Sequence, residues 1–308
     1  MDRENRRIGL WIIISLLALV LVIFVIVNLP DRNIHLIFCD VGQGDAILVT
    51  YKNNQVLIDG GLPQNYGRLL SCLSSKIPFW DRTLEVVVNT HPDEDHFGGL
   101  TEIVKRYRIV NYMHNGYDNS QSWRFEEFKK SLIDKKTCSK VNPPIEAFSI
   151  DKLYFESHFS FLDKNQPSGQ LQPKYFDKNK ECLQPEFKKE TDNLNNSSIV
   201  LQLNYGDFDA LLTGDIESEI EQILVWRGLI EPVEILKIAH HGSKTSTTKE
   251  LLSAADPGMA VISVGENFFG HPAEEVLERL KKFQIPFLRT DEVGTIEIVS
   301  NGHKWWLN

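Results

Sequence analysis

The hydrophobic and polar positions divide the chain in two. Residues 8–27 are almost wholly apolar, interrupted only by Gly9 and Ser15. Twenty residues of helix match the hydrocarbon core of a bilayer, so this run predicts a membrane-spanning helix. No later stretch approaches that length. Beyond it, short apolar runs alternate with polar loops. Residues 34–49 predict two strands around a Gly-rich corner, Asp40-Val41-Gly42-Gln43-Gly44-Asp45, and Gln55-Val56-Leu57-Ile58 predicts a third, ending at Asp59-Gly60-Gly61. Residues 67–73 predict a helix, 84–89 a strand, and 100–107 a helix by the spacing of their apolar positions. Residues 198–203 and 208–212 predict strands around a Tyr205-Gly206-Asp207 turn. The second stops at Thr213-Gly214-Asp215, before a helix over 217–227. Residues 234–239 form a strand that stops at His240-His241-Gly242-Ser243. Residues 260–264 lead to Gly270-His271-Pro272, with Pro272 in the first turn of a helix to about residue 283. Residues 295–299, Asn301-Gly302 and 303–307 read as a closing hairpin. Strands and helices in this alternation predict a mixed α/β domain with its chemistry at one sheet edge.

From about residue 117 to 196 the pattern weakens. Pro143-Pro144 interrupts it, and residues 163–196 are rich in Lys, Asn, Gln, Ser and Pro. This predicts a partly flexible surface insertion. The expected organisation is a cytoplasmic stub and anchor over 1–30, then one α/β domain over 31–308 carrying that insertion.

Charge adds direction. Arg3, Arg6 and Arg7 precede the apolar run and only Arg32 follows closely, so the positive-inside bias predicts a cytoplasmic N-terminus and an extracytoplasmic domain. Val27-Asn28-Leu29-Pro30 lacks a small-x-small cleavage site, which favours an uncleaved anchor. Of 33 Lys+Arg and 42 Asp+Glu, the first thirty residues hold three and two, so the remainder is acidic by ten charges. Such a surface does not attract polyanions by itself. Four cysteines, Cys39, Cys72, Cys138 and Cys182, are too scattered for a disulfide framework or a zinc ribbon. Cys39 reads as a buried strand residue. A disulfide among the other three is compatible with an oxidising compartment, and the sequence chooses no pair.

The densest chemistry lies in Thr90-His91-Pro92-Asp93-Glu94-Asp95-His96-Phe97-Gly98-Gly99, directly after an apolar run. His91, Asp93, Asp95 and His96 place four potential ligands within six positions. One aspartate there would read as a helix cap. Two aspartates and two histidines read as a metal loop suited to Zn²⁺, Mn²⁺ or Fe²⁺, with no thiolate. Asp59, Asp215, His240, His241 and His271 repeat the theme at other strand ends. Singly, each has an ordinary explanation as a turn residue, an N-cap or a surface histidine. Their recurrence predicts a hydrolytic metal site.

These segments, with Asn196-Ser197-Ser198 and Ser263-Val264-Gly265, resemble the metallo-β-lactamase superfamily over about residues 34–307. Within it they resemble the ComEC-like metallo-hydrolase domain of DNA-internalisation competence proteins. The resemblance implies a four-layer αββα sandwich, here preceded by one transmembrane helix, with one or two divalent ions (Zn or Mn) at one edge. It implies His91, Asp93, Asp95, His96, Asp215 and the pair His240/His241 as ligands, Asp215 bridging. Asp40, Asp59 and Asn196 stand behind them as supports. The superfamily pattern is usually His-x-His-x-Asp-His; here Asp93 replaces the second histidine, as in the ComEC-like branch. Asn195-Asn196-Ser197 stands where a middle histidine is usual. One metal position is left with His91, Asp93 and Asp215, an oxygen-rich set that favours Mn²⁺. The other keeps Asp95, His96, Asp215 and one histidine of the pair.

The expected function is a membrane-anchored, extracytoplasmic hydrolase, a phosphodiesterase or nuclease acting on DNA through metal-activated hydroxide. Asp95, Asp215, His241 and His271 carry that chemistry. The histidine of the pair that is not a ligand, and His271, meet the developing phosphate charge or protonate the leaving group. Ser243 and Lys244 are expected to bind substrate. The competing expectations are a metallo-hydrolase of another ester (a phosphorylcholine ester, a lactone or a β-lactam) and a catalytically silent binding domain of the same fold. The retained ligands weigh against silence. Nucleic acid or another phosphodiester, and the membrane, are the expected partners; the sequence points to no protein partner.

Overall fold

The computed structural model describes residues 3–27, 29–135, 137, 139–141, 145–159, 174–175, 187 and 191–308. Among the described residues, two eight-stranded sheets form the centre. The first is ordered Trp305–Leu307, Ile296–Ser300, Ile34–Phe38, Ile47–Tyr51, Asn54–Ile58, Thr83–Asn89, Arg108–His114 and Ser139–Val141. The second is ordered Phe287–Arg289, Met259–Ile262, Ile235–Lys237, Phe208–Leu212, Ile199–Tyr205, Leu153–Phe159, Ile145–Ile150 and Lys174–Tyr175.

Most of these strands are buried on both faces, which is why they read as continuous apolar runs. In Ile34–Phe38, Leu36 and Phe38 join the core between the sheets, while Ile37 faces the helices. Between the sheets, Ile34, Val49 and Val56 belong to one core with Phe155, Leu201 and Leu203. Helices Tyr66–Lys76, Leu100–Arg106 and Trp123–Asp134 cover the other face of the first sheet through Leu69, Ile103 and Phe128. Helices Ser218–Trp226, Lys249–Ala255 and Glu274–Lys282 cover the second through Leu224, Leu251 and Leu280. Helix, sheet, sheet and helix make the αββα sandwich. Each such buried Leu, Ile or Phe contributes about 1.5–3 kcal/mol.

The parallel strands position the chemistry. Asn54–Ile58, Thr83–Asn89 and Arg108–His114 run parallel, as do Phe208–Leu212, Ile235–Lys237 and Met259–Ile262. Asp59, the loop His91 to His96, Asp215 and His240-His241 follow the carboxyl ends of these strands, where open α/β sheets place their ligands.

Three expectations are corrected. The stretch 117–196 is not a surface insertion throughout. Helix Trp123–Asp134 buries Phe125, Phe128 and Leu132, and Leu153–Phe159 pairs along Ile199–Tyr205 inside the second sheet. The alternation Leu153, Phe155, Ser157 that drives this pairing is too short to stand out beside a polar tract. Pro143-Pro144, residues 160–173 and residues 176–186 lie outside the described residues. Cys39 is buried, yet it forms a disulfide with Cys72, at a Cα separation of 5.9 Å. These cysteines are 33 residues apart, and only the packing of helix Tyr66–Lys76 on the sheet brings them together. Cys138 and Cys182 lie outside the described residues. Pro272 precedes its helix, which begins at Glu274 with Ala273 at the cap position.

The N-terminal helix is Arg3–Val27, and its segment Arg7–Val25 is long and apolar enough to cross a membrane. None of that segment is buried in the protein.

Near it, a buried carboxylate ties the C-terminal hairpin to the first strand. Glu297 accepts from His35 Nδ1 at 2.8 Å, Lys76 Nζ at 2.6 Å and Asn308 Nδ2 at 2.6 Å. The His35 bond, against the cost of burial and helped by Lys76 and Asn308, holds the Glu297 carboxyl down at about 2. A depressed carboxylate stabilises the fold above its unfolded pKa, and the stabilisation is lost as pH falls through the folded value. Glu297→Gln should therefore cost about 1–3 kcal/mol at neutral pH. In urea titrations the gap to wild type should close between about pH 4.5 and 2; a gap unchanged at the acid end would contradict the assignment.

Candidate metal centre

The cluster is built on Asp59. Its carboxylate is 1% exposed and accepts from Thr90 N at 2.8 Å, Thr90 Oγ1 at 2.7 Å, Asn89 Nδ2 at 3.2 Å and His96 Nδ1 at 2.8 Å. A carboxylate only accepts, so His96 keeps a proton on Nδ1 and turns Nε2 to the centre, where a bound cation would displace any proton. Burial opposes the Asp59 charge, but the His96 charge and hydrogen bond outweigh it and hold the carboxyl below its usual range. The neighbouring corner needs its glycine. A Cβ on Gly44, which has φ +114°, would lie 2.2 Å from Asp95 O, so only glycine lets this corner pack against the metal loop.

Asp215 follows strand Phe208–Leu212, with its amide donating to Ser198 Oγ at 3.1 Å. Its Oδ2 lies 3.1 Å from His96 Nε2 and 3.2 Å from His241 Nε2. His241 Nε2 is also 3.3 Å from Asp95 Oδ2. His240 (φ 49°, ψ 48°) and His241 (φ 52°, ψ 22°) both adopt the left-handed conformation, which costs about 1–2 kcal/mol per residue. The Gly214 carbonyl accepts from His240 N at 3.2 Å, and His241 Nδ1 donates to Ser263 O at 2.8 Å. The second bond again turns Nε2 inward. This decides what the dipeptide alone left open: His241 enters the cluster, and His240 stands at its edge, 4.0 Å from Asp215 Oδ2.

The other expected residues fall around this centre. His91 is fully buried, its ring 4.1 Å from that of His96 and its Nε2 3.5 Å from Asp93 Oδ2. Asp93 is about one-third exposed. The His271 ring lies 5.3 Å from that of His240; burial, reinforced by the charges of His240 and His241, pushes its imidazole down to about 4. Asn196 accepts from Glu217 N at 2.9 Å and so holds the Asp215 loop, not a ligand side chain. Ser243 Oγ is engaged with Thr245 Oγ1 at 2.9 Å, and Lys244 is exposed. Asp40 does not stand behind the ligands. It caps Gly42 N at 3.0 Å and pairs with Arg68 at 3.0 Å.

Of the two aspartates in that corner, the one near the histidines is Asp45, at its far end, 3.6 Å from His241 Nδ1 and 4.0 Å from His96 Nδ1. Its partner is Lys237, fully buried, whose ammonium contacts Asp45 Oδ2, lies 3.4 Å from Asp215 Oδ1 and donates to Gly214 O at 2.9 Å. Sequence reasoning passed over both residues. Lys237 had a usable signal, a charged residue inside an otherwise apolar strand just before His240-His241.

Two groups that share His96, one with Asp95, Asp215 and His241 and the other with Asp45 and Asp59, thus bring four carboxylates together beside the buried Lys237. Burial opposes the His241 charge, yet Asp215, Asp95 and Asp45 raise its imidazole to about 10. Burial likewise opposes the charge on Asp215, and His241, His96 and Lys237 hold it well below the usual carboxylate range. The cluster calls for positive charge. The Nε2 atoms of His91, His96 and His241 are buried without a hydrogen-bond partner, each an arrangement that costs about 1–3 kcal/mol when left unmet. Ligand atoms of Asp95, His96, Asp215 and His241 all lie within 4.8 Å of one another. Two imidazoles and two carboxylates on a buried anionic site fit a divalent cation, which would displace protons as it binds.

Comparisons with known proteins agree with this geometry. Residues 39–169 match the family model described as "Metallo-beta-lactamase superfamily". ComE operon protein 3 of Bacillus subtilis (strain 168) is 30% identical over 274 residues, covering 84% of this chain and 32% of that protein. Competence protein ComA of Neisseria gonorrhoeae is 27% identical over 272 residues, covering 87% of this chain and 32% of that protein. The chain therefore spans about a third of the length of these curated relatives. Among solved structures, the metallo-beta-lactamase fold protein YhfI from Bacillus subtilis superposes with a TM-score of 0.54 at 11% identity, covering 87% of this chain and 100% of that one, a likeness of fold.

Proposed function

We propose that this chain, whose domain belongs to the metallo-β-lactamase superfamily, is a membrane-anchored, metal-dependent phosphodiesterase that cleaves DNA outside the cytoplasm. One observation carries the hydrolase reading: Asp95, His96, Asp215 and His241 converge at one sheet edge with unpartnered imidazole nitrogens facing inward. Asp95, His96, Asp215 and His241 would hold a divalent ion there, which would supply Lewis acidity toward a phosphoryl oxygen and a lowered pKa for water. The chain's own residues do the rest. Asp59 and Ser263 O orient His96 and His241 through their Nδ1 protons. His91 and Asp93 flank a second, more open position whose oxygen content suits Mn²⁺ better than Zn²⁺. His240 and His271 border the same edge, placed to bond non-bridging phosphate oxygens. Lys244, exposed on the loop that follows His241, would lend the acidic domain a cation for the polyanion.

The Neisseria relative is named for competence, and that name supports DNA over a lactone or a β-lactam as substrate. The arginines before the apolar helix and the Cys39–Cys72 disulfide support a domain outside the cytoplasm. The test is metal content after purification, followed by a panel of single-stranded DNA, duplex DNA, bis-p-nitrophenyl phosphate, p-nitrophenyl phosphorylcholine and a chromogenic β-lactam. Mn²⁺-dependent cleavage of DNA and of the bis-phosphate ester is expected; turnover confined to either of the last two substrates would overturn the reading. Protease added to intact cells should digest the domain, and digestion only after lysis would place it inside.

A further inference from the structure

Phe79 and Trp80 lie outside the hydrolytic centre, in the connection between helix Tyr66–Lys76 and strand Thr83–Asn89. They are 64% and 44% exposed, with their rings packed edge to face at 4.8 Å. The connection is held from both sides. Ile77 is buried beneath it, and Asp81 N donates to Pro78 O at 2.8 Å, closing a turn around the two aromatic residues. Large apolar groups presented to solvent on a fixed turn mark a surface that something covers.

The covering phase is indicated by the N-terminal helix. The ring of Phe24, at the end of the apolar segment Arg7–Val25, lies 6.0 Å from that of Phe79. Phe24, Leu29, Pro78 and Phe79 together line one recess, a cavity of about 520 Å³. We propose that the Pro78–Trp80 turn is a second membrane contact, which seats the domain on the bilayer surface where the helix emerges. This rests on the reading of Arg7–Val25 as a membrane-spanning helix. If that segment crosses the hydrocarbon core, Phe24 lies one residue from its end, about 1.5 Å along the axis. A ring packed beside Phe24 then sits in the interfacial layer, where aromatic side chains concentrate. Trp80 suits that layer, with an apolar body and an N–H for headgroup oxygens. A single helix leaves the domain free to tilt about its tether. A second contact removes that freedom, so the hydrolytic edge keeps a constant attitude to the membrane.

The experiment uses the full chain in phosphatidylcholine vesicles whose acyl chains carry bromine, a quencher of tryptophan fluorescence, at either a shallow or a deep position. Wild type, Trp80→Phe and Trp11→Phe are compared; Trp11 reports the helix and Trp80 the turn. Shallow bromine should quench wild type, and Trp80→Phe should lose a large share of that quenching. Trp11, about 6 Å inside the other end of the segment, should be quenched by bromine at either depth, with Trp11→Phe losing that component. If Trp80→Phe is quenched like wild type while Trp11→Phe is not, the anchor stands and the second contact is refuted; rings covered by a second copy of the chain would give this result. If neither substitution changes quenching, the membrane-spanning reading fails and the proposal fails with it.

Discussion

Asp215→Ala should abolish phosphodiester cleavage at every Mn²⁺ concentration, and Asp95→Ala should do the same. Asp215 Oδ2 lies within 3.2 Å of both His96 Nε2 and His241 Nε2, and Asp95 Oδ2 reaches His241 Nε2 at 3.3 Å. Each therefore belongs to the group of four whose nitrogen and oxygen donors lie within 4.8 Å of one another. Asp93 differs. It is more exposed, and its carboxylate lies 3.5 Å from His91 Nε2. Asp93→Ala should lose activity at low metal and regain part of it at millimolar-scale Mn²⁺, an order-of-magnitude expectation of about 10⁻³ M for a weakened hard-cation site. The measurement is bis-p-nitrophenyl phosphate hydrolysis across a Mn²⁺ titration, with bound metal counted in parallel. Near-normal turnover in Asp215→Ala would remove it from the centre. Loss in Asp93→Ala without any rescue would mean that the two positions act as one.

Lys237→Met should destabilise the metal-free protein by about 3–5 kcal/mol, the cost of leaving buried charge without its partner. The ammonium is fully buried between Asp45 and Asp215. Burial opposes its charge, but those two aspartates hold its pKa above the usual lysine value. Methionine keeps most of the volume and removes the charge, so the loss should be electrostatic rather than a cavity effect. Saturating Mn²⁺ should narrow the gap, because an ion bound to Asp215 compensates part of the same negative charge and stabilises only the folded state. Urea unfolding with and without metal separates the two contributions. A gap below about 1 kcal/mol in the metal-free protein would show that Lys237 is not the counter-charge.

Much of this molecule was legible in its sequence because burial on two faces leaves a plain mark. Strands Ile34–Phe38, Ile47–Tyr51, Thr83–Asn89 and Ile199–Tyr205 are nearly continuous apolar runs, and each stops where the chain turns out of the sandwich. The candidate metal loop was equally conspicuous, with two histidines and two aspartates within six positions, of which Asp95 and His96 enter the cluster. The membrane-length helix needs nothing beyond its own residues.

Tertiary structure decided what depends on direction and distant contact. His240 and His241 are chemically identical, and only the left-handed backbone, with Ser263 O accepting from His241 Nδ1, turns one of them into the cluster. Asp40 and Asp45 end the same Gly-rich corner, but Arg68 draws the first outward and Lys237 holds the second inward. Cys39 finds Cys72 because a helix packs over the strand that ends just before it. The strand Leu153–Phe159 becomes central only because Ile199–Tyr205 offers it an edge. Local pattern records which side chains must leave water; which of two like residues meets a partner is settled when the sheets close and bring distant strand ends to one edge.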